Sequence, residues 1–139
     1  MVFADADRHE SHGQLCYIAG LLLGPLKSDS TFYTISWPSH KSRRPVKSIG
    51  AAEILPVGEA IDEGKVLKSA ISVHIGQKLQ LVVITDSKYL FNSLATQIIS
   101  IDKSFRADLN VIRFEYETHA VITVGWIPGK IDPADVGTK

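Results

Sequence analysis

The stretch "LVVITDSKYLFNSL", residues 81–94, sets an acidic residue directly after an uninterrupted apolar run. The apolar run is typical of a buried strand, and helical spacing of apolar residues begins after Ser87. Asp86 therefore stands where a strand ends and a helix begins. Two physical explanations are open: the carboxylate caps the helix, or it helps to hold a metal ion beyond the carboxyl end of the strand.

The bulk composition is that of an ordinary globular protein. The chain has 139 residues, of which 45% are hydrophobic and 22% charged, so we expect one domain over residues 1–139 with a substantial core. No apolar run approaches the roughly 18 residues of a membrane span, and the start "MVFADAD" does not resemble a signal peptide. The lone Cys16 excludes an internal disulfide, is predicted to be a core residue, and favours a cytosolic compartment.

The charges balance overall but are unevenly distributed. Lys plus Arg and Asp plus Glu number 15 each, and the net charge is zero, which argues against strong autonomous binding to nucleic acid. One basic segment, "HKSRRPVK" at residues 40–47, has almost no acid near it. It is either a solvated loop or a loop that contacts phosphates.

The order of predicted elements defines the fold class. Three strands, Val2–Ala4, Leu15–Leu23 and Phe32–Trp37, are separated by turn residues and predict an antiparallel meander. Two later strands, at 79–84 and 121–127, are joined through helical patterns and are therefore predicted to be parallel. The sequence thus predicts an α/β fold with a five-stranded mixed sheet, a three-strand antiparallel meander plus two parallel strands, flanked by helices.

A long helix is predicted after the basic segment. Ser48 is a suitable N-cap, and apolar and small residues from Glu53 onward follow one helical face. Pro56 lies inside this pattern and is expected to kink the helix or to displace its start. Gly64 marks either close packing on the sheet or a weak point of the helix.

Four carboxylates stand out by position: Asp5, Glu53, Asp86 and Asp135. Asp5 and Asp86 each follow a predicted strand, and Glu53 lies on the inward stripe of the long helix. Each has an ordinary alternative role as a cap, a turn residue or a surface acid. Together, however, converging acids repel one another unless a cation is present, and oxygen ligands without imidazole or thiolate select Mg²⁺ or Mn²⁺. Two such ions about 3.5–4 Å apart suit phosphodiester cleavage.

Four segments together resemble a known family: "FADAD", "AAEIL", "ITDSKYL" and "WIPGKIDPADVGTK". In this order they are similar to the ribonuclease H domain of copia-type (Pseudoviridae) LTR retrotransposon Pol polyproteins, especially fungal ones. The resemblance implies the ribonuclease H-like fold and endonucleolytic hydrolysis of the RNA strand of RNA–DNA hybrids during reverse transcription. It also implies two Mg²⁺ ions, for which Mn²⁺ substitutes, and the reverse transcriptase domain of the same polyprotein as partner. The expected location is a cytoplasmic virus-like particle.

The resemblance also implies roles for single residues. Asp5 matches the aspartate that bridges both metals, Glu53 and Asp86 match two further ligands, and Asp135 matches the acid on the metal that holds the attacking water. Two departures stand out. No histidine follows the Trp126–Pro128 turn, although relatives of the family carry one there. Lys130 and the nearby His119 either partly substitute for this histidine or are surface residues. Asp132 replaces a frequent asparagine, and it either perturbs metal binding or only caps the last helix.

Substrate contacts are expected from polar and basic residues that recognise backbone shape and 2′-hydroxyls. The candidates are Ser11, His12, Gly13, Lys41, Arg43, Arg44, Ser87, Lys88 and Lys130. Because the net charge is zero, we expect weak, salt-sensitive binding by this chain alone, with the reverse transcriptase supplying most of the affinity. Two alternatives stay open: a catalytically inactive scaffold or dimerisation module, and an integrase- or resolvase-like nuclease acting on duplex DNA. The oligomeric state is not predicted.

Overall fold

A computed structural model describes residues 1–139 except 10, 11, 26, 28, 29, 46, 47, 97–102, 119, 120, 122 and 136–139. The strands are β1 (Val2–His9), β2 (His12–Leu23), β3 (Thr31–Ser36), β4 (Ser39–Lys41), β5 (Val82–Thr85) and β6 (Thr123–Trp126). The helices are α1 (Ile49–Ile75), α2 (Lys88–Thr96) and α3 (Lys103–Glu117), followed by a short 3-10 turn, η1 (Gly129–Ile131). None of the described helices is both long and apolar enough to cross a bilayer.

The sheet has the predicted mixed topology. Its strand order is β3-β2-β1-β5-β6. The first three strands pair antiparallel, and β5 pairs parallel with both β1 and β6. The predicted α/β fold with a meander and two parallel strands is confirmed.

A short additional strand, β4, makes the sheet six-stranded and was not predicted. It pairs antiparallel with β2 from Gln14↔Lys41 to Cys16↔Ser39, next to the segment of β2 that pairs with β3. Within the pairing of β2 with β3, the register shifts between Ala19 and Gly20. The first part of the basic segment 40–47 is therefore strand rather than loop, because the long β2 offers backbone partners beyond the end of β3.

The first strand is longer than the sequence indicated, and this corrects the position of Asp5. Asp5 was expected after the strand, but β1 continues to His9 because its whole length pairs with β2, from Val2↔Ala19 to His9↔His12. The parallel pairing with β5 ends earlier, at Ala4↔Thr85. Asp5 is thus inside β1 yet directly beyond its parallel pairing with β5.

Helix α1 packs on β1 and β2 and against α3. Its buried side chains include Ile54, Val57 and Ile61, which join a core with residues of β1, β5, α2 and α3. The helix runs through Pro56, so the proline does not displace the helix start. Of the two explanations left open for Gly64, the structure supports close packing, because a Cβ there would lie 2.7 Å from Leu81 Cδ1. Cys16 is buried, as predicted.

Candidate active site

The register of two parallel strands sets Asp5 beside Asp86. Ala4 pairs with Thr85, so Asp5 and Asp86 are the next residues on adjacent strands, whose spacing is about 4.8 Å. This is the edge of the sheet beyond the carboxyl end of β5, where sites in open α/β sheets usually form. Asp5 is 8% exposed, so its carboxylate is largely removed from solvent.

Glu53 is tied to the same edge through Ser87. The Ser87 hydroxyl donates a hydrogen bond to Glu53 Oε2 and accepts one from the Leu90 amide at 3.1 Å. Ser87 is therefore the N-cap of α2 and, at the same time, the group that orients the carboxylate on α1. The packing of α1 and the N-cap of α2 together bring Glu53 next to Ser87, the residue after Asp86.

The end of β6 and the turn that follows it contact Asp86. Trp126 Nε1 donates to the Asp86 carbonyl oxygen at 2.8 Å. Asp86 Oδ2 sits so close to Gly129 that a Cβ on this glycine would lie 2.8 Å from it. The side chain of Asp86 thus occupies space that a Cβ at residue 129 would also need. Lys88 Nζ lies 5.8 Å from the centre of the Trp126 ring, within range of a cation–π contact.

Asp132 and Asp135 complete the acidic edge. Asp132 Oδ1 accepts a hydrogen bond from the Ala134 amide at 2.8 Å, which is the capping role that the sequence left open for it. The Asp135 amide donates to the Asp132 carbonyl oxygen at 3.3 Å. Asp132 is only 4% exposed. The charge of Asp135 acts on the carboxyls of both Asp86 and Asp132, so all the acids share one electrostatic environment.

The ionisation of these carboxyls shows that they act on one another. Burial, followed by the negative charges of Asp5 and Glu53, raises the pKa of Asp86 to about 6. Burial is also the main cause that raises the pKa of Asp132 to about 7. The pKa of Glu53 is raised by burial and by Asp5, against the opposing hydrogen bond from Ser87. Asp86, Asp132 and Glu53 therefore resist ionisation, because each is partly removed from solvent and lies near other acids.

The donor set fits a hard divalent cation. All five side chains offer carboxylate oxygens, the ligands that Mg²⁺ and Mn²⁺ prefer. The nearby Cys16 thiol has its pKa raised by burial and by Asp5 and Asp132, which disfavours thiolate ligation. Within the part of the chain that the structure describes, no three such side chains already form a ligand cluster. The carboxylates therefore suit a divalent cation by their chemistry and by lying at the same edge of the sheet. To bind the ion, their side chains would have to move closer together.

The expected substrate contacts are placed at several different positions. Ser11 and the side chain of His12 lie outside the described residues. Gly13 is in β2, where its carbonyl accepts the Ser42 amide at 2.8 Å. Lys41, in β4, and Arg43 are exposed. Arg44 makes a bidentate ion pair with Asp108 at 2.9 and 3.0 Å.

Three other expected contacts are at or near the acidic edge. Ser87 is buried and uses its hydroxyl within the protein. Lys88 is exposed beside Trp126, and Lys130 is exposed in η1. Of the basic candidates in the described residues, Lys88 and Lys130 are on the segments that carry Asp86 and Gly129, whereas Arg44 is held by α3.

Sequence reasoning missed the roles of Trp126 and Gly129 as contacts of Asp86. The available signal was the "W-I-P-G" turn after a strand, since a glycine that follows a proline turn marks a place where another group approaches the backbone. It also did not identify the contact of Ser87 with Glu53, which joins residues 34 positions apart.

Taken together, the strand order, the helix on β1 and β2, and the acidic edge define the ribonuclease H-like fold. Solved structures agree. The chain aligns with a ribonuclease H1 isolated from compost, LC11-RNase H1, in complex with an RNA/DNA hybrid, with a TM-score of 0.69 and 11% identity over 97% of this chain and 90% of that one.

Two further solved structures are similar. The N-terminal ribonuclease H domain of a Mycobacterium tuberculosis protein aligns with a TM-score of 0.61 and 15% identity, over 99% of this chain and 89% of that one. The ribonuclease H1 of the halophilic archaeon Halobacterium salinarum aligns with a TM-score of 0.55 and 10% identity, over 99% and 88%. Neither the family models nor the curated proteins contain a match. The likeness therefore establishes the fold.

Proposed function

We propose that this chain is a metal-dependent endonuclease that hydrolyses the RNA strand of RNA–DNA hybrids. The observation that carries the proposal is the Ala4↔Thr85 register, which sets Asp5 beside Asp86 at the edge that Glu53 also reaches through Ser87. The solved complex of LC11-RNase H1 with a hybrid adds support, because the chain shares that protein's fold. The role is the one expected from the sequence resemblance.

The residues of the acidic edge would have different roles in hydrolysis. Asp5, Glu53, Asp86 and Asp135 would hold the cations. Two bound divalent ions would supply an activated water and stabilise the leaving oxygen of the phosphodiester. Ser87 keeps Glu53 oriented, and Trp126 fixes the backbone of Asp86. Lys88, beside the same edge, is placed to contact a phosphate of the substrate.

The wider setting follows the resemblance. We propose that the chain is the ribonuclease H domain of a copia-type retrotransposon polyprotein, works on the hybrid with the reverse transcriptase domain of that polyprotein, and acts in a cytoplasmic virus-like particle. A formal net charge of zero supports the dependence on a neighbouring domain, since binding to a hybrid is driven largely by cations that neutralise phosphates.

The direct test is cleavage of a hybrid with labelled strands, in Mg²⁺ and in Mn²⁺. We expect internal cuts in the RNA strand by the wild type and none by Asp86→Asn. Asp62→Asn, at an exposed acid of α1 remote from Ser87 in the chain, is the matched control and should cleave normally. Cleavage of duplex DNA but not of the hybrid would instead select the integrase- or resolvase-like alternative.

One observation favours a second candidate, an inactive scaffold on the same fold. Among the described residues, no three acidic or other ligand side chains form a ready cluster. If millimolar Mg²⁺ and Mn²⁺ neither raise the melting temperature nor permit cleavage, the scaffold is the better explanation. Stabilisation by either ion that is lost in Asp86→Asn favours the nuclease.

A further inference from the structure

Asp132 carries an oxygen for which the described residues supply no hydrogen-bond partner. Its Oδ1 accepts the Ala134 amide, but its Oδ2 is buried and, within the described residues, has no hydrogen-bond partner. The residue is 4% exposed, so bulk solvent has little access to this oxygen. An acceptor oxygen buried in this way is costly, and a carboxylate oxygen more so.

The surroundings of Asp132 are acidic rather than basic. The charges of Asp86, Asp5 and Asp135, in decreasing order, act on its carboxyl. Three ion pairs among the described residues join other side chains, His40 with Glu59, Arg44 with Asp108, and Lys65 with Glu115. A cap alone needs one oxygen and no charge, so it does not explain a buried acid at this position.

We propose that Asp132 is a fifth carboxylate of the acidic edge and that its Oδ2 contributes to binding the divalent cation there. The inference rests on the proposed function, since it concerns the same edge, and it adds a ligand that the four acids of the sequence analysis do not include. A bound cation supplies the partner that Oδ2 lacks and removes the repulsion among the acids. Asp132 is thus expected to strengthen cation binding while it caps the last turn.

The test measures binding of Mn²⁺ to the full chain without substrate, by loss of the free Mn²⁺ resonance signal and by the rise in melting temperature. Asp132→Asn keeps an acceptor for the Ala134 amide and removes the charge. We expect this variant to fold and to raise the apparent Kd for Mn²⁺ about tenfold or more, the order seen when groups around a metal are removed. Asp62→Asn, the control, should leave the Kd unchanged.

Several outcomes overturn the inference. An unchanged Kd in Asp132→Asn would show that Asp132 only caps the turn, and a lower Kd would show that its charge only repels the other acids. If Asp132→Asn does not fold, Asp132→Ser, whose hydroxyl also accepts the amide, is measured against the same expectation. Unchanged Mn²⁺ binding with normal hybrid cleavage defeats only the role of Asp132, whereas a wild type that binds no Mn²⁺ defeats the proposed function as well.

Discussion

Asp5 and Asp86 are neighbours across two parallel strands, because Ala4 of β1 pairs with Thr85 of β5. The two residues are 81 positions apart in the chain, yet each is the first beyond the parallel pairing. Burial and, next in size, the negative charge of Asp5 raise the pKa of Asp86 to about 6. A group of acids held in this way is stable in the folded protein only if protons or cations balance it.

Replacing Asp86 should separate activity from stability. In Asp86→Asn we expect hybrid cleavage to fall about 100-fold or more, the loss typical when a group that stabilises reacting charge is removed. The metal-free protein should melt at a higher temperature than the wild type, because a buried carboxyl with a raised pKa is removed. Calorimetry and a cleavage assay on one preparation check both effects. A variant that loses stability and activity together would contradict this assignment.

Stability of the metal-free protein should fall as the pH rises. The pKa of Asp86 is raised to about 6 and that of Asp132 to about 7 in the folded chain, above the ordinary value near 3.8. Between these pH values the folded state holds protons that the unfolded state has released. The contribution of the two carboxyls to the free energy of unfolding is therefore complete below about pH 4 and is lost as the pH rises to about 7. Urea unfolding at pH 5 and pH 8 in EDTA tests this. Asp132→Asn should make the free energy of unfolding depend less on pH. A free energy of unfolding that rises from pH 5 to pH 8 would refute the raised pKa values of Asp86 and Asp132.

Gly129 should be intolerant of a side chain. A Cβ there would lie 2.8 Å from Asp86 Oδ2, so Gly129→Ala must shift Asp86 or the turn. A displacement of about 1 Å at reacting groups can cost about 100-fold in rate, and we expect a loss of cleavage near this size. Gly58→Ala is the control, because nothing lies within 4 Å of its Cβ position. Full activity in Gly129→Ala would show that Asp86 need not occupy this position.

Gly64 should matter for stability and not for chemistry. A Cβ at Gly64 would lie 2.7 Å from Leu81 Cδ1 and 3.1 Å from Val2 Cγ2. Overpacking of this kind costs about 1–3 kcal/mol, so Gly64→Ala should lower the free energy of unfolding. Gly58→Ala in the same helix should raise it by up to about 1 kcal/mol. Denaturant titration of the two variants gives the comparison, and equal effects would refute the close packing.

Lys88 should affect substrate affinity more than turnover. Its ammonium lies near the Trp126 ring and close in the chain to Asp86. Lys88→Gln should raise KM for the hybrid with little change in kcat, and should reduce the slope of log affinity against log salt by about 1. Lys78→Gln, an exposed lysine before β5, is the matched control. An unchanged salt slope in Lys88→Gln would show that this lysine makes no phosphate contact.

Local patterns in the sequence were sufficient for most of the fold. Apolar runs and helical spacing predicted the meander, the long helix and the later parallel strands, because burial imposes a period of 2 or 3.6 on the residues themselves. The small residue at Gly64 likewise indicated close packing, which the structure confirms. Asp5 and Asp86 were selected because each follows a predicted strand, and Glu53 because it lies on the inward stripe of the long helix.

Long-range pairing decided what those patterns could not. The length of β1 depends on a partner strand that extends to His12, and β4 exists because β2 runs past β3. Arg44 is engaged by Asp108, which is 64 positions away, and Ser87 by Glu53. A residue's own preferences do not specify which distant group will meet it.

The amino-acid sequence by itself determined the order of the main helices and strands and the acids that were candidates for the site. Only the tertiary structure decided that Asp5 adjoins Asp86 and that Gly129 makes room for the Asp86 carboxylate. It also decided that Asp132 is buried with one oxygen that has no partner among the described residues. The reason is physical: periodic burial is a property of neighbouring residues, whereas register, desolvation and charge coupling arise when segments far apart in the chain pack together.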